Sequence, residues 1–159
     1  MSGGVFGTSG GALLFSLLLG LIAYILIVMA RAVVCLRAAR RIDQMDGMTG
    51  QEFEAAIAAL LKRRGYKKVT QTPETRDSGI DVIGVLEGET VGFQCKRYAK
   101  NVGNHAVMEA YAGIQKYELD RAVVVTNAYF TSAAADLAER TEVELWDRDV
   151  LIELIKRKR

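Results

Sequence analysis

The chain has 159 residues, room for one compact domain and a further short segment. Its 21 basic and 19 acidic residues nearly cancel, which excludes a global basic field, so any contact with nucleic acid must come from local clusters. Cys35 and Cys95 lack metal-ligand spacing and read as free thiols of a reducing cytosol, and the single histidine, His105, reads as structural or exposed.

Residues 1–30 contain no Lys, Arg, Asp or Glu, and "ALLFSLLLGLIAYILIVMA" over 12–30 is almost purely apolar. About 20 such residues at about 1.5 Å each cross a hydrocarbon layer about 30 Å thick. Arg31, Arg37, Arg40 and Arg41 follow at once, whereas residues 1–11 carry no charge. The positive-inside rule therefore expects an extracytoplasmic segment 1–11, a transmembrane helix 12–30 in the inner (cytoplasmic) membrane, a basic juxtamembrane linker 31–47 and a cytoplasmic domain 48–159. A cleaved signal peptide fits less well, because its basic residues would precede a shorter apolar core. Without those four arginines, 17 of the 21 basic residues remain against 19 acidic ones, and the domain is near neutral. Its basic clusters are "KRRGYKK", with Lys62, Arg63, Lys67 and Lys68, and "KRYAK", with Arg97 and Lys100; each reads either as a solvated face or as a phosphate contact.

Thr49 followed by Glu52 has the spacing of a capping box, so a helix is expected from about Gly50 to Arg64. Phe53, Ile57, Leu60 and Leu61 form its apolar stripe, Glu54 stands at the stripe's edge, and Gly65 ends it. A short strand near Lys68 to Thr72 and a loop with Pro73 lead to two runs, "IDVIGVL" and "TVGFQCKRY", separated by the turn signal "EGE". Helices from Asn104 to about Glu118, from the Thr131 cap through Arg140, and over "RDVLIELIKRK" alternate with the strands "RAVVVTN" and "VELW". That alternation predicts an α/β sandwich around a central mixed sheet.

A two-residue turn at Gly88 and Glu89 would set Asp81 across from Lys96. Period-two alternation then puts Asp81, Gln94 and Lys96 on one face and Val82, Leu86, Val91, Phe93 and Cys95 on the other. An ordinary cross-strand ion pair is one reading. The other is a site for a hard cation, with oxygen from the Asp81 carboxylate, the Gln94 side chain and the Cys95 carbonyl, Glu54 as a nearby helix acid, and Lys96 placed to orient water or stabilise charge on a phosphate.

"GIDVIG" and "FQCKRY", preceded by "GQEFEAAIAALLKRRGY" and followed by "VVVTNAYFTSAAADLA", resemble the Mrr-like restriction endonuclease family, a branch of the PD-(D/E)XK nucleases, over roughly Met48 to Ile155. The resemblance implies a restriction-endonuclease-like α/β/α sandwich, preceded here by one transmembrane helix. It also implies Asp81 as the central metal-binding aspartate, Lys96 as the catalytic lysine and Glu54 as the helix acid completing the site. Gln94 stands where the wider superfamily has Glu or Asp, a replacement typical of the Mrr-like branch that removes one charge from the metal site. The implied function is a membrane-anchored DNA endonuclease using Mg²⁺, with Mn²⁺ as a substitute, in restriction of foreign or modified DNA. Its partners are DNA and the membrane, and a homodimer is left open as a way to cut both strands. A non-catalytic nucleic-acid-binding or scaffolding protein on the same fold is the alternative.

Overall fold

The structure, a computed structural model, describes residues 9–73 and 79–157. In chain order its elements are α1 (Ser9–Asp46), α2 (Gly50–Arg63), β1 (Lys67–Gln71), β2 (Val82–Leu86), β3 (Glu89–Lys96), α3 (Asn104–Lys116), β4 (Arg121–Thr126), α4 (Ser132–Thr141), β5 (Glu144–Trp146) and α5 (Arg148–Lys156). The first eight residues of the expected extracytoplasmic segment, and Lys158 of the expected last helix, lie outside the described residues.

The chain divides into two compact units, one reaching to Arg37 and one starting at Ala38. In the first, α1 exposes its large apolar side chains from Leu14 to Leu36, and by length and composition this helix is apolar enough to cross a membrane. Over the basic juxtamembrane stretch 31–47, α1 continues to Asp46, and Ala38, Ile42 and Met45 are buried in the second unit. The spacing of those three residues, three to four apart, lays them along one helix face.

The second unit is built on a five-stranded sheet in the order β1-β2-β3-β4-β5, antiparallel through β3 and parallel from β3 to β5. Side-chain alternation gives it two cores. Phe53, Ile57 and Leu61 of α2 and Leu151 of α5 pack with Ile42 and Met45 on the face of Val82, Phe93, Val123 and Val125. The opposite face joins Ala122 and Val124 to Val107 and Ala110 of α3 and Ala134 and Ala138 of α4. A strand buried on both sides must be continuously apolar, which is why β4 reads "AVVV". Phe93 centres the first core, its ring 5.4 Å from Tyr66 edge-on and 5.3 Å from Trp146. This is the expected mixed α/β sandwich.

Local signals mostly act as their chemistry dictates. Thr49 and Glu52 make a reciprocal capping box at α2, Thr131 caps α4 through the Ala134 N–H, and Asp147 caps α5. The hairpin turn differs from expectation by one position. Val85 pairs with Thr90 and Leu86 with Glu89, so Glu87 and Gly88 form the loop. Both have positive φ, 55° and 97°, the conformation of a tight type I′ turn, in which glycine is favoured at the second position.

Candidate functional site

The register moves Asp81 level with Gln94 instead of Lys96, because Val82 pairs with Phe93. A shift of two residues in the pairing preserves parity, so Asp81, Gln94 and Lys96 still share a face. Asp81 occupies a bend one residue before β2, its N–H donating to the Phe93 carbonyl at 2.8 Å. Its Oδ2 accepts two hydrogen bonds, from the Cys95 backbone N–H at 2.6 Å and from Gln94 Nε2 at 3.0 Å. Burial pushes the Asp81 carboxyl up from its ordinary range; the Cys95 N–H and the Lys96 charge pull it down, and Glu109 pushes it up again.

Gln94 is only 4% exposed. Since its Nε2 is committed to a carboxylate, its Oε1 points elsewhere, buried and with no hydrogen-bond partner among the described residues. A buried carbonyl oxygen in that state is costly unless something electropositive meets it. Among the described residues no group of three or more His, Cys, Asp and Glu side chains stands together as a metal cage. The expected donor set is of another kind, two carboxylates with an amide and a backbone carbonyl, and the orphaned Oε1 fits a hard cation.

Lys96 lies at the end of β3, and its Nζ is 2.7 Å from Glu109 Oε2 on α3. The cross-strand ion pair with Asp81, one of the two readings of the sequence, is not what forms among the described residues. His105, one turn before Glu109, has Nδ1 3.4 Å from Glu109 Oε1 and is 86% exposed. Glu109 was not foreseen from sequence. Its only signal is its place beside the buried stripe of α3, three residues after Ala106 and four before Gly113.

Glu54 is half-buried on α2, in the layer opposite α3. Its charge, with that of Asp81, adds to the effect of burial in holding the Cys95 thiol well above its ordinary value, which keeps the sulfur neutral. The two basic clusters are placed differently. Lys67 pairs with Val85 near the hairpin turn, about 13 Å along the sheet from Asp81, and Lys62 and Arg63 end the helix that leads there. Lys68, beside Lys67, is exposed at that same end. Arg97 follows Lys96 directly and Lys100 comes four residues after it, and Arg97 Nη1 donates to the Asp46 carbonyl at 3.4 Å.

Residues 45–155 match the Mrr catalytic-domain family model, described as restriction endonuclease. The Type IV methyl-directed restriction enzyme EcoKMrr of Escherichia coli (strain K12) is 31% identical over 122 residues, which cover 72% of this chain and 40% of that protein. The chain thus spans well under half the length of this curated relative. Two solved structures share the fold. The DNA modification-dependent restriction endonuclease AspBHI superposes with a TM-score of 0.58 at 21% identity over 77% of this chain and 35% of its own. MspJI restriction endonuclease in complex with a 27-mer oligonucleotide gives 0.51 at 20% identity over 77% and 31%. A 111-residue match in sequence, carried on the same sandwich, places the chain in the Mrr-like restriction endonuclease family.

Proposed function

We propose that this protein is a divalent-metal-dependent DNA endonuclease held at a membrane by α1. The observation that carries the reading is the Asp81–Gln94 pair: a half-buried carboxylate holds the amide nitrogen and leaves the buried amide oxygen unpartnered, two residues before Lys96 on the same strand face. Asp81, Gln94 Oε1 and the Cys95 carbonyl would hold the ion, and Glu54, whose charge reaches Cys95 from the α2 side, would complete the set from across the sheet. When bound, a divalent ion supplies Lewis-acid polarisation of the phosphodiester and a more acidic water.

The chain's own groups supply the rest. Lys96 carries a positive charge to where negative charge grows on the phosphate, or donates to the attacking water. Glu109 holds that ammonium in place before substrate arrives. The Cys95 N–H fixes the Asp81 carboxylate in a single orientation. The apolar helix supports membrane attachment, with the arginines after residue 30 on the cytoplasmic side. The relatives are by name methyl-directed and modification-dependent, so methylated DNA is the first substrate to try.

The test is plasmid nicking by wild type and Asp81→Ala, on plain and methylated DNA, with Mg²⁺, Mn²⁺ or chelator. Metal-dependent nicking by wild type alone is expected. Nicking that survives in Asp81→Ala, or in chelator, would overturn the assignment.

A further inference from the structure

Beyond Lys96 the chain leaves β3 and runs beside the loop that leaves β4. The Val102 N–H donates to the Tyr129 carbonyl at 2.8 Å and the Thr131 N–H to the Val102 carbonyl at 3.0 Å, which ties the two loops together. A cavity of about 420 Å³ opens there, lined by Tyr98, Ala99, Asn101, Asn127, Tyr129 and Arg148 among others. It sits at the carboxyl ends of parallel strands, where open α/β sheets bind ligands. Tyr98 comes two residues after Lys96, at most about 7 Å of backbone away.

Charge and hydrogen bonding decide what class of ligand the cavity suits. Arg148 is already spent: Nη1 donates to Asp46 Oδ1 at 2.8 Å and to the Asn127 carbonyl at 3.0 Å, and Nη2 to Asp43 Oδ1 at 2.9 Å. The Asn127 amide is spent as well, its Nδ2 donating to Asp46 Oδ1 at 2.8 Å and its Oδ1 accepting the Tyr98 N–H at 2.9 Å. Two carboxylates around one guanidinium offer little to an anion. What remains are two exposed aromatic side chains, Tyr98 at 49% and Tyr129 at 44%, the exposed Asn101 amide, and the methyl-sized Ala99 and Ala128. Tyr129 is steadied by its hydroxyl, 3.3 Å from Asp149 Oδ1.

We propose that this cavity receives an unstacked nucleobase of the bound strand, close to the phosphate that Lys96 faces, stacked on Tyr98 and hydrogen-bonded by Asn101. The proposal rests on the nuclease reading for its ligand. An uncharged planar ring with a polar edge matches a wall of aromatic, amide and small side chains, whereas phosphate does not. Stacking of this kind tolerates any base, so the cavity contributes affinity and strand placement without reading sequence.

The test uses the full chain in detergent micelles and two fluorescent single strands of equal length, oligo-dT and an abasic backbone of tetrahydrofuran units, with binding followed by anisotropy. Wild type is expected to bind the base-bearing strand roughly tenfold tighter. Tyr98→Ala should equalise the two strands while Tyr98→Phe keeps the preference, and because Tyr98 is exposed, the melting temperatures of all three proteins should agree. Equal affinities in wild type, a preference that Tyr98→Ala leaves intact, or no binding to either strand would each overturn the proposal. Plasmid nicking is scored on the same preparations. Nicking without base preference removes the cavity proposal alone, and base preference without nicking removes the nuclease reading alone.

Discussion

At the scale of single residues, the pair Lys96 and Glu109 separates chemistry from placement. Lys96→Ala removes the charge itself, and turnover in the nicking assay should fall by about 10²–10³-fold, as for loss of a group that stabilises developing charge. Glu109→Gln leaves the ammonium but loosens its position, so a smaller fall of about tenfold is expected, recovered in part by Glu109→Asp. Equal losses in the two variants would show that Glu109 does more than position. Asp81 makes a prediction of opposite sign for stability. Its carboxyl is raised mainly by burial, so folding prefers the neutral acid. The cost of ionising it is absent below about pH 3.9, grows as pH rises, and is complete above the raised folded-state value. Asp81→Asn should therefore raise the melting temperature of the metal-free protein at pH 7, with a gain that vanishes in acid. A gain independent of pH would trace to packing instead.

At the scale of elements, α3 is the part that brings the acid and the lysine into register. Gly79 has φ of +55° and its Cα lies against the Glu109 backbone, while Ile80 fills the space above Gly113 of α3. The segment Gly79 to Asp81 leading into β2 is thus seated on the same helix turns that hold Lys96. Alanine ordinarily improves a glycine in a helix by about 1 kcal/mol. Gly113→Ala should do the reverse, because the added methyl meets the Ile80 side chain, and denaturant unfolding should show a loss of about 1–3 kcal/mol. The elements themselves were legible in the sequence: the Thr49–Glu52 box, the "AVVV" run and the Thr131 cap each act locally, and local rules describe them. The shared face of Asp81, Gln94 and Lys96 was legible too, since parity survives an error in the turn. The partner of Lys96 was not, because Glu109 meets it only through tertiary packing across 13 residues of sequence. The same limit hid the Asp46, Asn127 and Arg148 cluster, whose members are 81 and 102 residues apart.

At the scale of the molecule, the end of α1 belongs to the second compact unit, with the sheet. Polar and glycine residues near Gly47 mark a break in the chain, yet the side chains before it, Ile42 and Met45, are core, and Asp43 and Asp46 hold Arg148 at 2.9 and 2.8 Å. A protein starting at Ala38 should fold and stay soluble. One starting at Met48 loses a fully buried isoleucine and leaves a half-buried arginine without its carboxylates. Its unfolding free energy should be lower by about 2–5 kcal/mol in urea titration, and equal stability of the two would mean that the helix end only rests on the domain.

The outer strand β1 gives the lysines at the hairpin end a second meaning. It is short, irregular between Lys67 and Thr70, almost wholly exposed, and at Lys68 takes a left-handed φ of 49°. An open strand edge invites pairing with another chain, and a bulge with two positive charges is how such an edge is made unattractive. Lys67 and Lys68 then guard this edge against pairing with a second chain. Replacing Lys67 by threonine and Lys68 by asparagine, which tolerates the left-handed φ, would leave the melting temperature nearly unchanged and show itself as turbidity.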